Sequence, residues 1–270
     1  MFNKFFLPAT VLAGAVTTSP MVMANDSRNG APSEPERLYE NWEFAIGAGV
    51  MYAPDYIGSD DYDAGFMPHL EIVWNDRVSL SMDGLLVDAY KTDNLTLGLG
   101  VGLTEGRDES DNEALRGLGD IDMSAAAVLY GSYQWEMLEF GARFEQDLGD
   151  GHEGALVGLE ANFMVPVVED KLMFMVGPDA TWASEDYMQS FFGISSTQAA
   201  NSAYSQYDID SGFRDVGLHA MAEYRITDST SLNVISQYTR IIGDAADSPI
   251  VKDKGSENQF FTGMMLKYEF

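Results

Sequence analysis

Apolar side chains recur at every second residue along most of the chain. In LEFGARFEQD the apolar set is Leu138, Phe140, Ala142 and Phe144, while Glu139, Arg143, Glu145 and Asp147 take the opposite face. In DVGLHAMAEYRI, Val216, Leu218, Ala220, Ala222, Tyr224 and Ile226 alternate with Asp215, Gly217, His219, Met221, Glu223 and Arg225. LTLGLGVGLT sets Leu95, Leu97, Leu99, Val101 and Leu103 against Thr96, Gly98, Gly100, Gly102 and Thr104. A period of two marks a strand with one apolar face, because successive side chains leave a strand on opposite sides. The pattern predicts twelve strands, at 42–52, 66–74, 77–83, 85–91, 94–104, 121–134, 137–148, 153–166, 170–184, 211–226, 230–242 and 258–270. About ten residues tilted near 45° climb roughly 23 Å, the height of the apolar band of a membrane barrel.

The connections alternate in length. Short turns are expected at Asn75-Asp76, Thr92-Asp93, Gln134 to Met137, Val167 to Asp170 and Thr227 to Thr230, and long segments at 53–65, 105–120, 185–210 and 243–257. Barrels of the bacterial outer membrane carry short periplasmic turns and long extracellular loops, and an even strand number leaves both termini in the periplasm. The third and fourth strands are short and divided only by Gly84, so the count is ten if they form one bent ribbon. Pro178 inside the ninth strand removes a ladder hydrogen bond and predicts a bulge or an irregular edge. A soluble β-sandwich also alternates. It has no need of Trp42, Tyr52, Trp74, Tyr133, Trp182, Tyr224 and Phe270 near strand ends on the apolar parity, where a membrane barrel places its aromatic girdles. The expected fold is all-β: a transmembrane antiparallel β-barrel of outer-membrane type over residues 42–270, with twelve or ten strands.

The two ends fit an envelope protein. In MFNKFFLPATVLAGAVTTSPMVMA, Lys4 precedes an apolar stretch, and Val22 and Ala24 stand at −3 and −1 of a signal-peptide cleavage site, so residues 1–24 are read as a signal peptide. Residues 25–41 form a polar, proline-containing segment expected in the periplasm. At the other end Met264, Leu266, Tyr268 and Phe270 share the lipid-facing parity, and an aromatic terminal strand resembles the signal that outer-membrane assembly machinery reads. The chain has no cysteine, so neither disulfides nor thiol chemistry is available. Its formal net charge of −28 repels nucleic acid and anionic surfaces. Two acidic stretches, APDYIGSDDYDAG and EGRDESDNEALRGLGDID, lack the ligand spacing of a calcium loop and read as solvated loops.

Catalytic chemistry has few candidates. The imidazoles are His69, His152 and His219; two fall mid-strand on the inward parity and one in the DGHEG connection, with no serine partner evident. GLGVGL is a strand with a small-residue inner face, expected to accept Gly98→Ser, and is no phosphate loop. No catalytic, metal or cofactor site is predicted. The inward parity collects Glu43, Glu71, Asp83, Asp88, Glu139, Arg143, Glu145, Glu160, Asp179, Asp215, Glu223, Arg225, Lys267 and Glu269. Acids outnumber bases there, which fits either a narrow cation-favouring pore or a paired, hydrogen-bonded plug. The longest loop, FFGISSTQAANSAYSQYD, reads as a lid held by Phe191, Phe192 and Ile194, or as an adhesive surface.

Four segments carry a family resemblance. GAGVMYAPDYIGS supplies Gly47, Gly49, Tyr52, Pro54, Tyr56 and Gly58; FFGIS, followed by QAANSAYSQYD, supplies Phe192 and Gly193; DAADSPIV supplies Asp247, Ser248 and Pro249; and the closing YEF supplies Phe270. Together they resemble the MipA/OmpV family, the MltA-interacting outer-membrane proteins. The resemblance implies an integral outer-membrane barrel in contact with lipid, without cofactor. It also implies a scaffold whose partners are a lytic murein transglycosylase and a bifunctional penicillin-binding protein, although other members are described as adhesins or as affecting envelope permeability. For that role the periplasmic segment 25–41 is the expected partner-facing part.

Overall fold

The computed structural model describes residues 41–168 and 171–270; the expected signal peptide, and the N-terminal segment up to residue 40, lie outside the described residues. Twelve strands form a closed barrel: β1 (Trp42–Pro54), β2 (Tyr62–Trp74), β3 (Val78–Ser81), β4 (Gly84–Lys91), β5 (Leu95–Leu103), β6 (Ala125–Trp135), β7 (Leu138–Asp147), β8 (Ala155–Val168), β9 (Leu172–Ala183), β10 (Gly212–Thr227), β11 (Thr230–Ile241) and β12 (Asn258–Glu269). Each pairs antiparallel with its sequence neighbours, and β12 returns to β1 with Ala45 opposite Glu269 and Tyr52 opposite Thr262. No helix among the described residues is long and apolar enough to cross a membrane, and the crossing is made by strands.

The alternation sets the two faces. On β5, Leu97, Leu99, Val101 and Leu103 point outward and are exposed, while Gly98 and Gly102 are buried. β10 likewise exposes Val216, Leu218, Tyr224 and Ile226. Apolar side chains turned outward in this number have no place in water, and the closed ladder supplies the strands with the backbone partners that lipid cannot. Trp42, Tyr52, Trp74, Tyr133, Tyr224 and Phe270 stand exposed at strand ends, whereas Trp182 is half-buried. Phe270 packs edge-on against Tyr268, with centroids 4.9 Å apart, and its amide donates to the Phe44 carbonyl.

Several expectations need correction. β3 and β4 are separate strands, so the count is twelve. β2 begins at Tyr62 rather than 66, and β6 at Ala125 rather than 121, because Ile121 instead pairs with Arg107 in an isolated bridge. Pro178 causes no bulge: the β8–β9 register is the same on both sides, and the paired positions merely skip from Glu160–Asp179 to Phe163–Val176. Bulges lie instead between Phe213 and Asp215, between Asp88 and Tyr90, and between Pro166 and Val168.

The long loops are not plain coil. Segment 184–211 carries α1 (Glu185–Phe192) and α2 (Ser196–Asn201), and segment 242–257 carries α3 (Gly243–Asp247) and α4 (Pro249–Lys252). α2 starts in a capping box, with Ser195 and Gln198 each bonding the other's backbone, and Pro249 opens α4 where a missing amide costs nothing. These helices pack into two apolar clusters over the outer mouth. One gathers Tyr187, Met188, Phe191, Phe192, Ile241 and Val251; the other gathers Tyr56, Leu115, Leu118, Ile194, Tyr204 and Ile250. The acidic stretch after β5 therefore is not simply solvated: its apolar residues Leu115, Leu118 and Ile121 are core of the cap.

Candidate functional site

Three inward side chains, Tyr130, Glu160 and Asp179, lie flat against the wall over glycines. Gly98 faces Tyr130 on β6 and Asp88 on β4, and the tyrosine ring lies across it so that its hydroxyl donates to Asp88 Oδ1 at 2.5 Å. A Cβ at Gly98 would come closer than 3.0 Å to three atoms of that tyrosine, so Gly98→Ser is not the harmless change that the alternation predicts. Glu160 covers Gly141, and Asp179 covers Gly217, in the same way. Asp179 is also held by His219 Nδ1 at 3.1 Å and by Gln237 Nε2 at 3.1 Å, and the other imidazole nitrogen lies 2.6 Å from Asn162 Oδ1.

The other inward charges pair locally. Arg143 Nε bonds Glu145 at 2.6 Å, Lys267 bonds Glu269 at 2.8 Å, Lys91 reaches Asp88 at 3.4 Å, and His69 lies 3.9 Å from Glu71. Glu139 stands opposite Asn162, and Glu223 opposite Asn233. Arg225 makes no ion pair among the described residues and faces Ser231 near the periplasmic end. No group of three or more histidine, aspartate or glutamate side chains among the described residues is placed to hold a metal ion.

The motif segments, distant in sequence, meet in the cap. Ser248 Oγ donates to the Phe192 carbonyl at 2.6 Å, and Gly193 caps α1. Ser59 bridges Gly255, and the Gly58 amide donates to Gln259 at 3.1 Å. Gly58 has φ +100°, and a side chain there would strike Val251. Tyr56 is buried and its hydroxyl reaches the Lys254 carbonyl at 3.4 Å, while Asp247 pairs with Lys252 at 2.9 Å on the surface. Tyr52 stacks on Tyr62 on the lipid face, where β1 ends at Pro54. Gly47 and Gly49 let β12 approach β1, since a Cβ at either would press on the Leu266 or Met264 carbonyl.

Two arginines under the cap escape the sequence reading. Arg214 falls on the lipid parity of β10, but the bulge between Phe213 and Asp215 turns both it and Asp215 inward, and it is 4% exposed. It bonds Asp215 Oδ2 at 2.5 Å and the Tyr187 hydroxyl at 2.5 Å, and lies 3.5 Å from Glu105, which accepts from Tyr187. Burial pushes the Tyr187 hydroxyl well above its usual range, and it pushes Glu105 up against the opposing pull of Arg214. Arg107, also 4% exposed, donates to the Phe191 carbonyl at 2.8 Å and the Ser190 carbonyl at 3.4 Å. Desolvation lowers its guanidinium to about 10. Beneath lies a cavity of about 170 Å³, with Met51, Ile57, Phe191, Ile241 and Phe261 among its walls and both arginines at its surface.

A closed antiparallel barrel with an outward apolar belt, aromatic ends and a polar interior defines an integral outer-membrane β-barrel protein. The family model described as "MltA-interacting protein MipA" matches residues 46–270, so the chain belongs to that family. No curated protein matches. Among solved structures it is similar to an outer membrane channel from Pseudomonas putida F1, at 15% identity over 90% of this chain and 100% of that one, with a TM-score of 0.41. A FadL homologue from Pseudomonas aeruginosa aligns at 10% identity over 85% and 90%, with a TM-score of 0.41.

Proposed function

We propose that this chain is a non-enzymatic outer-membrane scaffold that holds murein-processing enzymes, a lytic transglycosylase and a penicillin-binding protein, at the periplasmic side of the barrel. The observation that carries this reading is the cap. Four long loops tie to one another across the outer mouth through Arg107 to Phe191, Asn112 to Asp55, Tyr204 to Ala114 and Ser248 to Phe192. A barrel closed in this way on the outside, with inward charges paired locally and Glu160 and Asp179 laid over glycines, is built for rigidity rather than flux. The family's description as MltA-interacting supports the transglycosylase as one partner. The exposed turn residues Asp93, Glu136 and Asp228 give the periplasmic rim an acidic character that suits a basic partner face. His152 packs against Tyr187 and Phe191, and His219 is held by Asp179 and Asn162, which supports a structural role for both.

The test is a pull-down of the tagged chain from detergent-solubilised envelopes, with and without residues 25–41, alongside conductance in planar bilayers. The expected result is a murein transglycosylase recovered with the full chain, reduced when the segment is removed, and no steady current. Steady cation-selective currents that weaken in E139Q/E145Q, with no murein enzyme recovered, would overturn the scaffold in favour of a pore.

A further inference from the structure

The barrel wall is not of even height. β2 pairs with β1 from Tyr62 to Trp74, yet its other edge pairs with β3 only from Glu71 to Trp74. β3 has 4 residues and turns straight into β4, whose pairing with β5 stops at Leu85–Val101. At a tilt near 45°, a run of about four residues climbs roughly 9 Å and one of about thirteen roughly 30 Å. Among the described residues, therefore, the outer run of β2, Tyr62 to Leu70, has no strand on its β3 side, whereas β4 covers β5 to within two residues of its end. Pro68, which cannot donate to a ladder, lies in the unpaired run of β2, where a sheet tolerates proline.

The cavity under the cap touches both sides of this gap. Asp63, Ala64 and Gly65 come from β2, and Glu105, Gly106 and Arg107 from the segment that continues β5. The charges inside are unequally satisfied. Arg214 is answered by Asp215 and Glu105. Arg107 bonds two carbonyls and lies 5.9 Å from the centre of the Phe191 ring, with Asp120 acting on it only at longer range; its Nε has no hydrogen-bond partner, and it makes no ion pair among the described residues. A buried guanidinium without a counter-charge is costly, and an anion seated beside it removes that cost. Asp55 and Asp111 line the cavity from the loops and disfavour an anion arriving from water through the mouth, while Asp63 stands on the β2 edge of the gap itself.

We infer that the gap is a lateral door, and that the cavity takes a single-tailed amphiphile with a carboxylate head from the outer half of the bilayer. The head sits at Arg107, and the tail runs along Met51, Phe191 and Phe261 toward the gap. This site is independent of the periplasmic scaffold role.

The test uses the chain in lipid nanodiscs with carbon-13 methyl-labelled methionines, titrated with octanoate, octanol and octyltrimethylammonium. The Met51 methyl resonance is the expected reporter, with octanoate binding about tenfold more tightly than the other two, as a charge-assisted hydrogen bond implies. R107Q should abolish that preference while octanol binding stays, and R107K should keep it. For the route, nitroxides are placed at M67C, beside the gap, and at M175C, on the wall where β9 pairs with both neighbours. Lipid-dissolved oxygen should relax the label at 67 more than a water-soluble nickel chelate does, with no such excess at 175. Equal binding of the three probes, tightest binding of the cation, or equal oxygen relaxation at both labels would overturn the inference. Should R107Q fail to assemble, the ranking of the probes on the unaltered chain still decides.

Discussion

Adding one methyl group at Gly98 tests how the lumen holds its charges. The Cβ of G98A would lie closer than 3.0 Å to Tyr130, so the ring must swing off the wall and its hydroxyl must leave Asp88. Asp88 would keep only Lys91, at 3.4 Å. Losing a hydrogen bond to a charged group costs about 1.5–3 kcal/mol, and overpacking costs a similar amount. G98A should therefore destabilise the folded barrel by about 2 kcal/mol. In a Y130A background the slot is empty and the same methyl should cost about 0 kcal/mol, giving a coupling of about 2 kcal/mol. The assay is urea unfolding in lipid vesicles followed by tryptophan fluorescence, run on all four members of the cycle. Costs for G98A that agree within about 0.5 kcal/mol in the two backgrounds would refute the slot, because sites that do not touch are additive to that level.

Parity gives a second prediction: L97R places a charge in lipid at roughly 2–4 kcal/mol and should block assembly, whereas M221Q faces the lumen and should be tolerated, both read by gel mobility before and after boiling. S248A removes a buried hydrogen bond to the Phe192 carbonyl and should loosen the cap by about 1–2 kcal/mol, seen as faster proteolysis of segment 184–211 with an intact barrel. His152, buried against Tyr187, is held below its usual value by burial, with Asp147 opposing. The closed cap therefore disfavours its proton. Its contribution is constant above pH about 6.5 and weakens the cap as pH falls from there through the lower folded value. Glu105, pushed up, has the opposite sign and strengthens the cap as pH falls. The His152 effect is accordingly the difference between the unaltered chain and H152Q in amide exchange of α1 at pH 8 and pH 5, and equal pH profiles would count against it.

The strands were legible because a closed barrel imposes one rule, apolar outward and polar inward, on every residue between its rims. Leu97 and Gly98 declare their faces through that rule alone. The rule fails where the backbone breaks step. Arg214 is assigned to lipid by counting from Val216, and only the bulge beside it turns it inward next to Asp215. No local residue announces that bulge; the signal available was the oddity of a charged side chain on the lipid parity. Gly98 shows a different limit. Its smallness was visible, but the reason, a tyrosine from β6 reaching Asp88 on β4, needs three strands in register. The cap was legible only as motif strings, since its contacts join residues as far apart as Gly58 and Gln259.

Two departures from regularity meet at one place: the bulge at Arg214 and the outer end of the unpaired run of β2, at Asp63 to Gly65, both border the cavity. In the inner half the ladders run without a gap from β1 to β12, and Lys267 and Glu269 pair as an ordinary wall requires. A wall that served only to close would gain nothing from a β3 of 4 residues, which leaves the outer run of β2 without a strand partner on that edge. The sequence keeps that cost near a buried arginine that makes no ion pair among the described residues. A molecule able to bring a carboxylate to Arg107 and an acyl chain to the gap relieves both at once. That single requirement links the notched wall to the charge under the cap.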